Sequence, residues 1–185
     1  MSRSHLAAVD EADFGLVLRA ARFAAWKHRD QRRKGRGHLP YINHPLDLAD
    51  VLWFEGRVRD PAVLAAALLH DTIEDTQTSL QELQGEFGER VARIVMEVTD
   101  ERSLHWRARK KLQVSRARLA SAAARQVKLA DKICNLRSMI AAPPNGWSID
   151  RQRAYFDWAK DVVDQLRGAN PELEARFDQV QKKRP

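Results

Sequence analysis

The stretch that most constrains this sequence is a run of eight apolar residues, Ala62–Leu69, which leads directly into His70 and Asp71. A membrane-spanning helix needs roughly 20 apolar residues, so the run predicts a buried helix of a folded domain. Continued helical spacing would place Glu74 four residues beyond His70 and Asp75 four beyond Asp71, each pair on one helix face. Because buried carboxylates without a counter-charge are costly, we expect a positive partner here, and a metal ion is the simplest one.

The composition favours one globular domain with an anionic partner. The chain has 185 residues, enough for a single hydrophobic core, and its formal net charge of +7 favours nucleic acid, a nucleotide or a membrane surface. The only cysteine, Cys134, excludes an internal disulfide and fits the reducing cytosol, so we expect a cytoplasmic protein. The first ten residues lack an apolar signal core. We expect residues 1–185 to form a single domain.

Helix signals recur along the whole chain, and no segment shows the sustained alternation of a strand. The expected helix starts lie at Asp10, Asp60, Thr78 or Ser79, Ser148 or Asp150, and Asn170. Gly88 is expected to end one short helix, and further helices are expected over residues 103–120 and 126–139. The sequence therefore predicts an all-α fold, a helical bundle of about nine helices.

Three separated segments carry side chains that suit a metal ion. A lone His-Asp doublet carries little information, and we would interpret His70 by itself as a core histidine bonded to a backbone carbonyl. His44, however, precedes Pro45 and is expected in an extended conformation at a loop-to-helix junction. Asp131 is expected on a third, largely buried helix. With His70 and Asp71 these residues form a mixed nitrogen and oxygen set that suits Mn²⁺, Fe²⁺ or Zn²⁺.

Glu74 and Asp75 leave two interpretations open. They stand one turn beyond the expected ligands, where a general acid or base would be placed. A metal site with open positions would lower the pKa of a bound water and neutralise phosphate charge. The alternative is a solvated carboxylate pair at a helix end. Taken alone, the two residues favour neither interpretation over the other.

Three motifs together resemble a known family. The segments Tyr41–Pro45, Ala67–Thr76 and Val127–Arg137 carry the H…HD…D signature of the HD phosphohydrolases and resemble the hydrolase domain of RelA/SpoT-type alarmone enzymes. The chain leaves no room for a synthetase domain, so it resembles the small stand-alone alarmone hydrolases, the type that includes the metazoan SpoT homologue. The resemblance extends over residues 23–166, the motif-bearing core.

The resemblance implies an activity and residue roles. The activity is hydrolysis of the 3′-diphosphate of guanosine 3′,5′-bis(diphosphate), ppGpp, which gives GDP and pyrophosphate and lowers the alarmone level. It implies an enzyme of the phosphoric diester hydrolase class with one Mn²⁺ ion per site. The implied metal ligands are His44, His70, Asp71 and Asp131; the implied proton-transfer pair is Glu74 and Asp75; the implied nucleotide contacts are Arg33, Asn135 and Tyr155.

Two basic segments, residues 27–36 and 102–118, have a solvated surface as their simplest interpretation. The functional interpretation is a cationic rim that attracts an anionic nucleotide. Its expected contributors are Arg33, Lys34, Lys110 and Lys111, of which we expect Lys34 and Lys111 to bind substrate. Trp106 departs from the basic residue typical of this loop in the small hydrolases, so a different contact to the distal phosphates is expected.

Two alternatives belong beside the alarmone hydrolase. One is an HD phosphohydrolase for another nucleotide, namely the 2′-phosphate of NADPH, a deoxynucleotide or a nucleoside monophosphate. The other is a basic helical nucleic-acid binder in which the histidine and aspartate cluster is vestigial. The expected partner is a small nucleotide, ppGpp and also pppGpp, with neither a membrane nor a nucleic acid, and the sequence leaves the oligomeric state open.

Overall fold

A computed structural model describes residues 10–33 and 37–185, and within these residues the fold is entirely helical apart from one isolated bridge between Arg32 and Pro40. The α-helices are α1 Glu11–Lys27, α2 Asn43–Asp50, α3 Pro61–Leu69, α4 Thr72–Asp75, α5 Leu80–Val98, α6 Trp106–Ala117, α7 Ala122–Ala141, α8 Ile149–Asp164 and α9 Pro171–Gln181. A π-helical turn, Val51–Glu55, extends α2. The prediction of an all-α fold with about nine helices is confirmed.

Helix α3 lies at the centre of the fold. Every residue from Ala62 to Leu69 is buried, so this helix is apolar all round and has no solvent-facing side. It packs against α1, α2, α5 and α7. Each fully buried leucine of α3 stabilises the fold by about 1.5–3 kcal/mol relative to an exposed one. The helix is therefore a rigid support for the residues at its carboxyl end.

Side-chain caps start the helices where the sequence predicts them. The cap residues are Asp10, Asp60, Ser79, Ser148 and Asn170, each of which accepts a hydrogen bond from a backbone N–H of the first turn. Ser148, rather than the alternative Asp150, caps α8. Such a cap stabilises a helix by about 1 kcal/mol.

The helical path of α5 breaks at Gly88, as predicted, and resumes at Glu89. Gly88 has φ +82° and ψ 164°, a conformation that L side chains rarely adopt. The expected boundaries of two other helices are wrong: α6 is shorter than residues 103–120, and α7 is longer than residues 126–139. Ser121 caps α7 upstream of its apolar stripe, a signal that the periodicity alone does not reveal.

The expected conformation of His44 is also wrong. Helix α2 begins at Asn43, so His44 is already helical and Pro45 is its third residue. The backbone N–H of His44 donates to the carbonyl of Tyr41, which closes a turn before the helix. Pro45 is tolerated there because the first N–H groups of a helix have no intrahelical acceptor to lose.

Over the described residues, none of the helices combines the length and the apolar character that a membrane crossing requires.

Candidate active site

Three helices bring a set of metal-competent side chains together. His44 comes from α2, His70 follows the last residue of α3, and Asp131 lies in the middle of α7. One ligand atom from each lies within 4.8 Å of the others. His44 Nε2 is 3.2 Å from Asp131 Oδ1, and both histidines are buried. Residues 87 positions apart in sequence thus converge on one polar cluster inside an apolar core.

Asp71, the fourth expected ligand, borders the same cluster. Its Oδ2 lies 2.8 Å from His70 Nε2 and 3.9 Å from His44 Nε2. The hydroxyl of Tyr41 donates a hydrogen bond to this Oδ2. Tyr41 is not among the site residues predicted from sequence, although its position three residues before His44 in the same motif is a signal that could have found it.

The hydrogen bonding of His70 fits a metal ion. His70 Nδ1 lies 2.8 Å from the carbonyl of Ala67, so we assign the proton to Nδ1 and the lone pair to Nε2. Nε2 is buried and has no hydrogen-bond partner among the described residues, although a carboxylate oxygen of Asp71 lies 2.8 Å away. Two electron-pair donors at this distance require a positive charge between them, which a proton or a metal cation can provide. A hydrogen bond from Nδ1 to a backbone carbonyl is usual for a metal-bound histidine.

The pKa values of His70 and Asp131 also indicate that this cluster favours a positive charge. Burial acts to lower the pKa of His70, but the adjacent carboxylate of Asp71 outweighs it and raises the pKa to about 9. Burial acts in the opposite sense on Asp131, yet Lys132, with its Nζ 2.9 Å from Oδ2, and the neighbouring His44 hold the pKa of Asp131 well below its usual range. Two histidines and two carboxylates therefore fit a divalent cation as a set.

Lys132 is a further residue that sequence reasoning missed. It is buried beside Asp131, and its Nζ also lies 4.7 Å from the ring centroid of Trp158. Asn135 donates from Nδ2 to the other carboxylate oxygen, Oδ1, of Asp131 at 2.6 Å. Both oxygens of Asp131 are thus fixed by groups on its own helix, α7. The sequence signal that could have identified Lys132 is a lysine next to an aspartate on a helix expected to be buried.

Glu74 and Asp75 both belong to the single turn of α4, but they face different neighbours. Glu74 accepts from Arg109 Nη1 at 2.8 Å and from the backbone N–H of Asp100 at 3.2 Å. Even with Arg109 this close, burial and the charges of Asp100 and Asp71 raise the pKa of Glu74 to about 7. Both contacts of Glu74 come from the segment around α6, which sequence reasoning did not connect with α4.

Asp75 lines a cavity of about 470 Å³ that opens beside the metal cluster. Burial, followed by the charge of Asp71, raises the pKa of Asp75, and the exposed Arg102 lies 3.9 Å away. The cavity wall includes Gln31, Arg33, Tyr41, Asn135, Trp147 and Tyr155. Tyr41 lines the cavity and also bonds Asp71, so the cavity and the metal cluster share a wall.

The structure brings three of the five expected substrate residues together in this cavity. Arg33 donates from Nη2 to Asn135 Oδ1 at 3.0 Å, and Tyr155 lines the same space, with burial raising its pKa to about 12. Lys111 is exposed on α6 and is not part of the cavity wall. Lys34 lies outside the described residues. Trp106, the first residue of α6, is half exposed and does not line the cavity either.

Comparison with known proteins identifies the family. A family model described as an HD domain matches residues 20–157. A relative from Xenopus tropicalis, named guanosine-3′,5′-bis(diphosphate) 3′-pyrophosphohydrolase MESH1, is 50% identical over 169 residues, which are 91% of this chain and 94% of the relative. The chain belongs to the MESH1 family of HD-domain proteins. The human protein of the same name is 49% identical over 168 residues, 91% of this MESH1-family chain and 94% of the human one.

Solved structures agree with this family assignment. One, described with the words "A metazoan ortholog of SpoT hydrolyzes ppGpp and plays a role in starvation responses", has a TM-score of 0.90 at 42% identity and covers 96% of this chain and 98% of its own. The crystal structure of lmo0812 from Listeria monocytogenes has a TM-score of 0.63 at 28% identity, with 77% of this chain and 96% of its own covered. The predicted all-α fold is confirmed by the first of these structures, and the resemblance predicted from the motifs is confirmed by that structure and by the MESH1 relatives.

Proposed function

We propose that this protein hydrolyses the 3′-diphosphate of ppGpp to give GDP and pyrophosphate, and so lowers the alarmone level. The observation that carries the proposal is the shared wall between a nucleotide-sized cavity and a cluster of metal-competent side chains, with Tyr41 in contact with both. The MESH1 relatives, which bear that activity in their names, match over about nine-tenths of the chain and support it.

The proposed resident metal is one Mn²⁺ ion held by His44, His70, Asp71 and Asp131. Imidazole nitrogens and carboxylate oxygens suit this ion. The grouping of His44, His70 and Asp131 supports the proposal, as does the distance of 2.8 Å from Asp71 Oδ2 to His70 Nε2. When bound, the ion supplies electrostatic stabilisation of phosphate charge and a lowered pKa for water. The chain's own contribution is the orientation of the ligands by Ala67, which accepts from His70, and by Tyr41, which bonds Asp71.

Glu74 and Asp75 are proposed to move the protons. The oxygen of a water molecule forms a bond to the phosphorus that is attached to the ribose 3′-oxygen. The bond between this phosphorus and the ribose 3′-oxygen breaks. Glu74, with a pKa of about 7, accepts the proton of the water. Asp75, which lines the cavity and has a raised pKa, donates a proton to the departing 3′-oxygen, so that GDP leaves with a 3′-hydroxyl.

Nucleotide binding is proposed to use the residues of the cavity wall. Arg33 stacks on the guanine with its planar guanidinium, and its bond to Asn135 holds the guanidinium at the wall. Asn135 and Tyr155 supply polar contacts. Lys34 remains a predicted contributor to a positive rim, whereas Lys111 is exposed on α6 outside the cavity wall and is not assigned a contact with the substrate. A second proposed substrate is pppGpp.

A kinetic comparison of substrates tests this proposal. Purified protein with Mn²⁺ is assayed side by side on ppGpp, NADPH, a deoxynucleoside triphosphate and a nucleoside monophosphate. We expect the highest kcat/KM for ppGpp, with release of pyrophosphate, and loss of activity in Asp71→Ala and Glu74→Ala. A higher kcat/KM for NADPH or either of the other nucleotides would replace ppGpp with that substrate.

The nucleic-acid alternative makes a different prediction. A vestigial cluster would bind no metal, and affinity for DNA or RNA would fall steeply as salt is raised. Tight, salt-sensitive nucleic-acid binding by a protein with no retained metal would therefore support this alternative against hydrolysis.

We further propose that residues 1–185 form one HD-type domain and that the protein acts in the cytosol. The family model spans residues 20–157, and α9, beyond that span, packs against α7. Cys134 is a buried free thiol, which suits a reducing compartment. Limited proteolysis that leaves one resistant fragment agrees with a single domain, whereas two separately stable fragments contradict it. Cell fractionation that places the protein outside the cytosol would overturn the proposed compartment.

A further inference from the structure

Lys110 lies at the contact between α6 and α8, directly beside Tyr155 of the cavity wall, although Lys110 itself is not among the residues that line the cavity. Its Nζ lies 4.5 Å from the ring centroid of Trp158 and 5.2 Å from that of Tyr155, which lines the cavity. The indole N–H of Trp158 donates to the backbone carbonyl of Lys110 at 3.1 Å. The backbone and the ammonium group of Lys110 are thus both anchored to α8. The side chain is half buried, whereas its neighbour Lys111 is exposed.

The surroundings of Lys110 are positively charged. Lys132 lies over the same Trp158 ring at 4.7 Å, and the guanidinium of Arg151 lies 4.2 Å from the ring centroid of Trp147, another residue of the cavity wall. Burial, then the charge of Lys132 and that of Arg151, lowers the pKa of Lys110.

Lys110 has no ion pair within the described part of the chain, unlike Lys132 and the adjacent residue Arg109. Lys132 is paired with Asp131, and Arg109 is paired with Glu74. Cation–π contacts with Trp158 and Tyr155 stabilise the ammonium group, but they leave its charge uncompensated. A half-desolvated ammonium group that faces other cations is costly, and a bound anion offsets that cost.

We propose that Lys110 is a specificity-determining residue that binds the 5′-diphosphate of the nucleotide on the α6–α8 side of the cavity. This inference rests on the proposed function and assigns one phosphate subsite of that substrate. The reacting 3′-diphosphate must lie at the metal ligands, and Lys110 contacts none of them. Lys110 therefore acts on substrate binding and on the choice between nucleotides, and Lys111, the rim residue expected from sequence, does not.

The adjacent lysines provide a matched pair of variants. In Lys110→Met we expect the KM for ppGpp to rise about tenfold with kcat within about twofold of the wild type, because the interaction is made equally in the ground and transition states. Lys111→Met removes the same charge one residue away and should leave both constants within about twofold. Lys110→Arg, which restores the charge, should recover most of the lost affinity. An equal KM for the two methionine variants overturns the assignment.

A shorter substrate identifies the phosphate group. Guanosine 3′-diphosphate lacks the 5′-diphosphate, so Lys110→Met should leave its KM unchanged and abolish most of the preference for ppGpp. A similar rise in KM for both substrates, or a fall in kcat, would place Lys110 at the reacting phosphate and contradict the proposal.

Binding of GDP to the metal-free protein separates this inference from the proposed function. Tryptophan fluorescence reports GDP binding without any turnover, since Trp147 and Trp158 flank the subsite. We expect about tenfold weaker GDP binding in Lys110→Met and no change in Lys111→Met, even if ppGpp proves not to be the substrate. Absence of GDP binding to the wild type, or equal affinity of the wild type and Lys110→Met, overturns the inference.

Discussion

At the scale of single residues, the metal ligands are held by partners on their own or neighbouring helices. Tyr41 donates a hydrogen bond to Asp71. The two carboxylate oxygens of Asp131 accept hydrogen bonds from Lys132 and Asn135, and the carbonyl of Ala67 accepts one from His70 Nδ1. Such partners fix the orientation of a ligand before a metal arrives. The metal affinity of this protein should therefore depend on residues that do not touch the ion.

Tyr41→Phe tests that dependence. The substitution removes only the hydroxyl that donates to Asp71, and we expect it to weaken Mn²⁺ binding about 10- to 100-fold, measured by titration calorimetry on metal-free protein. Tyr155→Phe is the matched control, because Tyr155 lines the same cavity but bonds no metal ligand. Equal Mn²⁺ affinity in the two variants would show that the hydroxyl of Tyr41 does not position Asp71.

The pH dependence of turnover reports on Glu74. Its pKa is raised from 4.5 to about 7, so its protonated fraction falls as the pH rises through about 7. If Glu74 is the base, its ionised form is active, so kcat should rise as the pH rises through about 7 and fall again where the proposed acid Asp75 loses its proton. The rising limb with an inflection near 7 should disappear from the residual activity of Glu74→Gln. A limb that persists unchanged in this variant belongs to another group.

Individual ligands were predictable from sequence because their residue types and motif positions are distinctive. His44, His70 and Asp131 meet in the structure as expected. The supporting residues were not predictable in the same way, because a tyrosine or a lysine serves many roles and only the packing of helices shows which one applies. Lys132 illustrates this, since its partner is adjacent in sequence but its burial depends on α8.

At the scale of helices, the break in α5 depends on one glycine. Gly88 has φ +82° and ψ 164°, whereas Gly85 lies in the regular part of the same helix, and a Cβ added at either would meet no atom within 4 Å. The two positions therefore differ in backbone conformation alone.

Alanine at each position separates conformation from packing. Gly88→Ala should lower the free energy of unfolding by about 1–3 kcal/mol, because alanine is strained at this φ and ψ. Gly85→Ala should raise it by about 0.5–1 kcal/mol, since alanine favours a helix interior. Urea denaturation of both variants provides the measurement. If Gly88→Ala is as stable as Gly85→Ala, the backbone conformation at Gly88 does not limit the choice of residue there.

Helix starts were more predictable than helix ends and extents. Asp60 and Ser148 carry a local chemical signal, the side-chain cap, that needs no tertiary contact to be recognised. The extents of α6 and α7 depend on packing, and their apolar patterns begin later or extend less far than the helices themselves. The helical state of His44 likewise reflects the turn at Tyr41, which overrides the local preference before proline.

At the scale of the whole molecule, the metal cluster ties together α2, α3 and α7. An ion that binds the folded chain and not the unfolded one stabilises the fold, by about 2.7 kcal/mol at a concentration one hundred times its Kd. We therefore expect Mn²⁺ to raise the Tm in a concentration-dependent manner. His70→Ala should remove most of this rise in Tm. Lys111→Met, which alters an exposed side chain, should show the same rise as the wild type.

The arrangement of the whole site was predictable only in outline. The motifs indicated that three segments form one metal centre, and the structure brings those segments together. The cavity, the separation of Glu74 from Asp75 by their contacts, and the position of Lys110 against Trp158 all depend on how α6 and α8 pack. Contacts between helices that are distant in sequence produce no periodic pattern in the sequence, so these contacts could not be predicted from it.

The most direct test of the account is the identity of the products formed from ppGpp with and without Mn²⁺. Anion-exchange chromatography with phosphorus NMR separates GDP, pyrophosphate and orthophosphate. The account predicts GDP and pyrophosphate in equal amounts with Mn²⁺, and no product when a chelator removes the metal. Release of orthophosphate in place of pyrophosphate, or unchanged turnover in the chelator, would contradict a metal-dependent 3′-pyrophosphohydrolase.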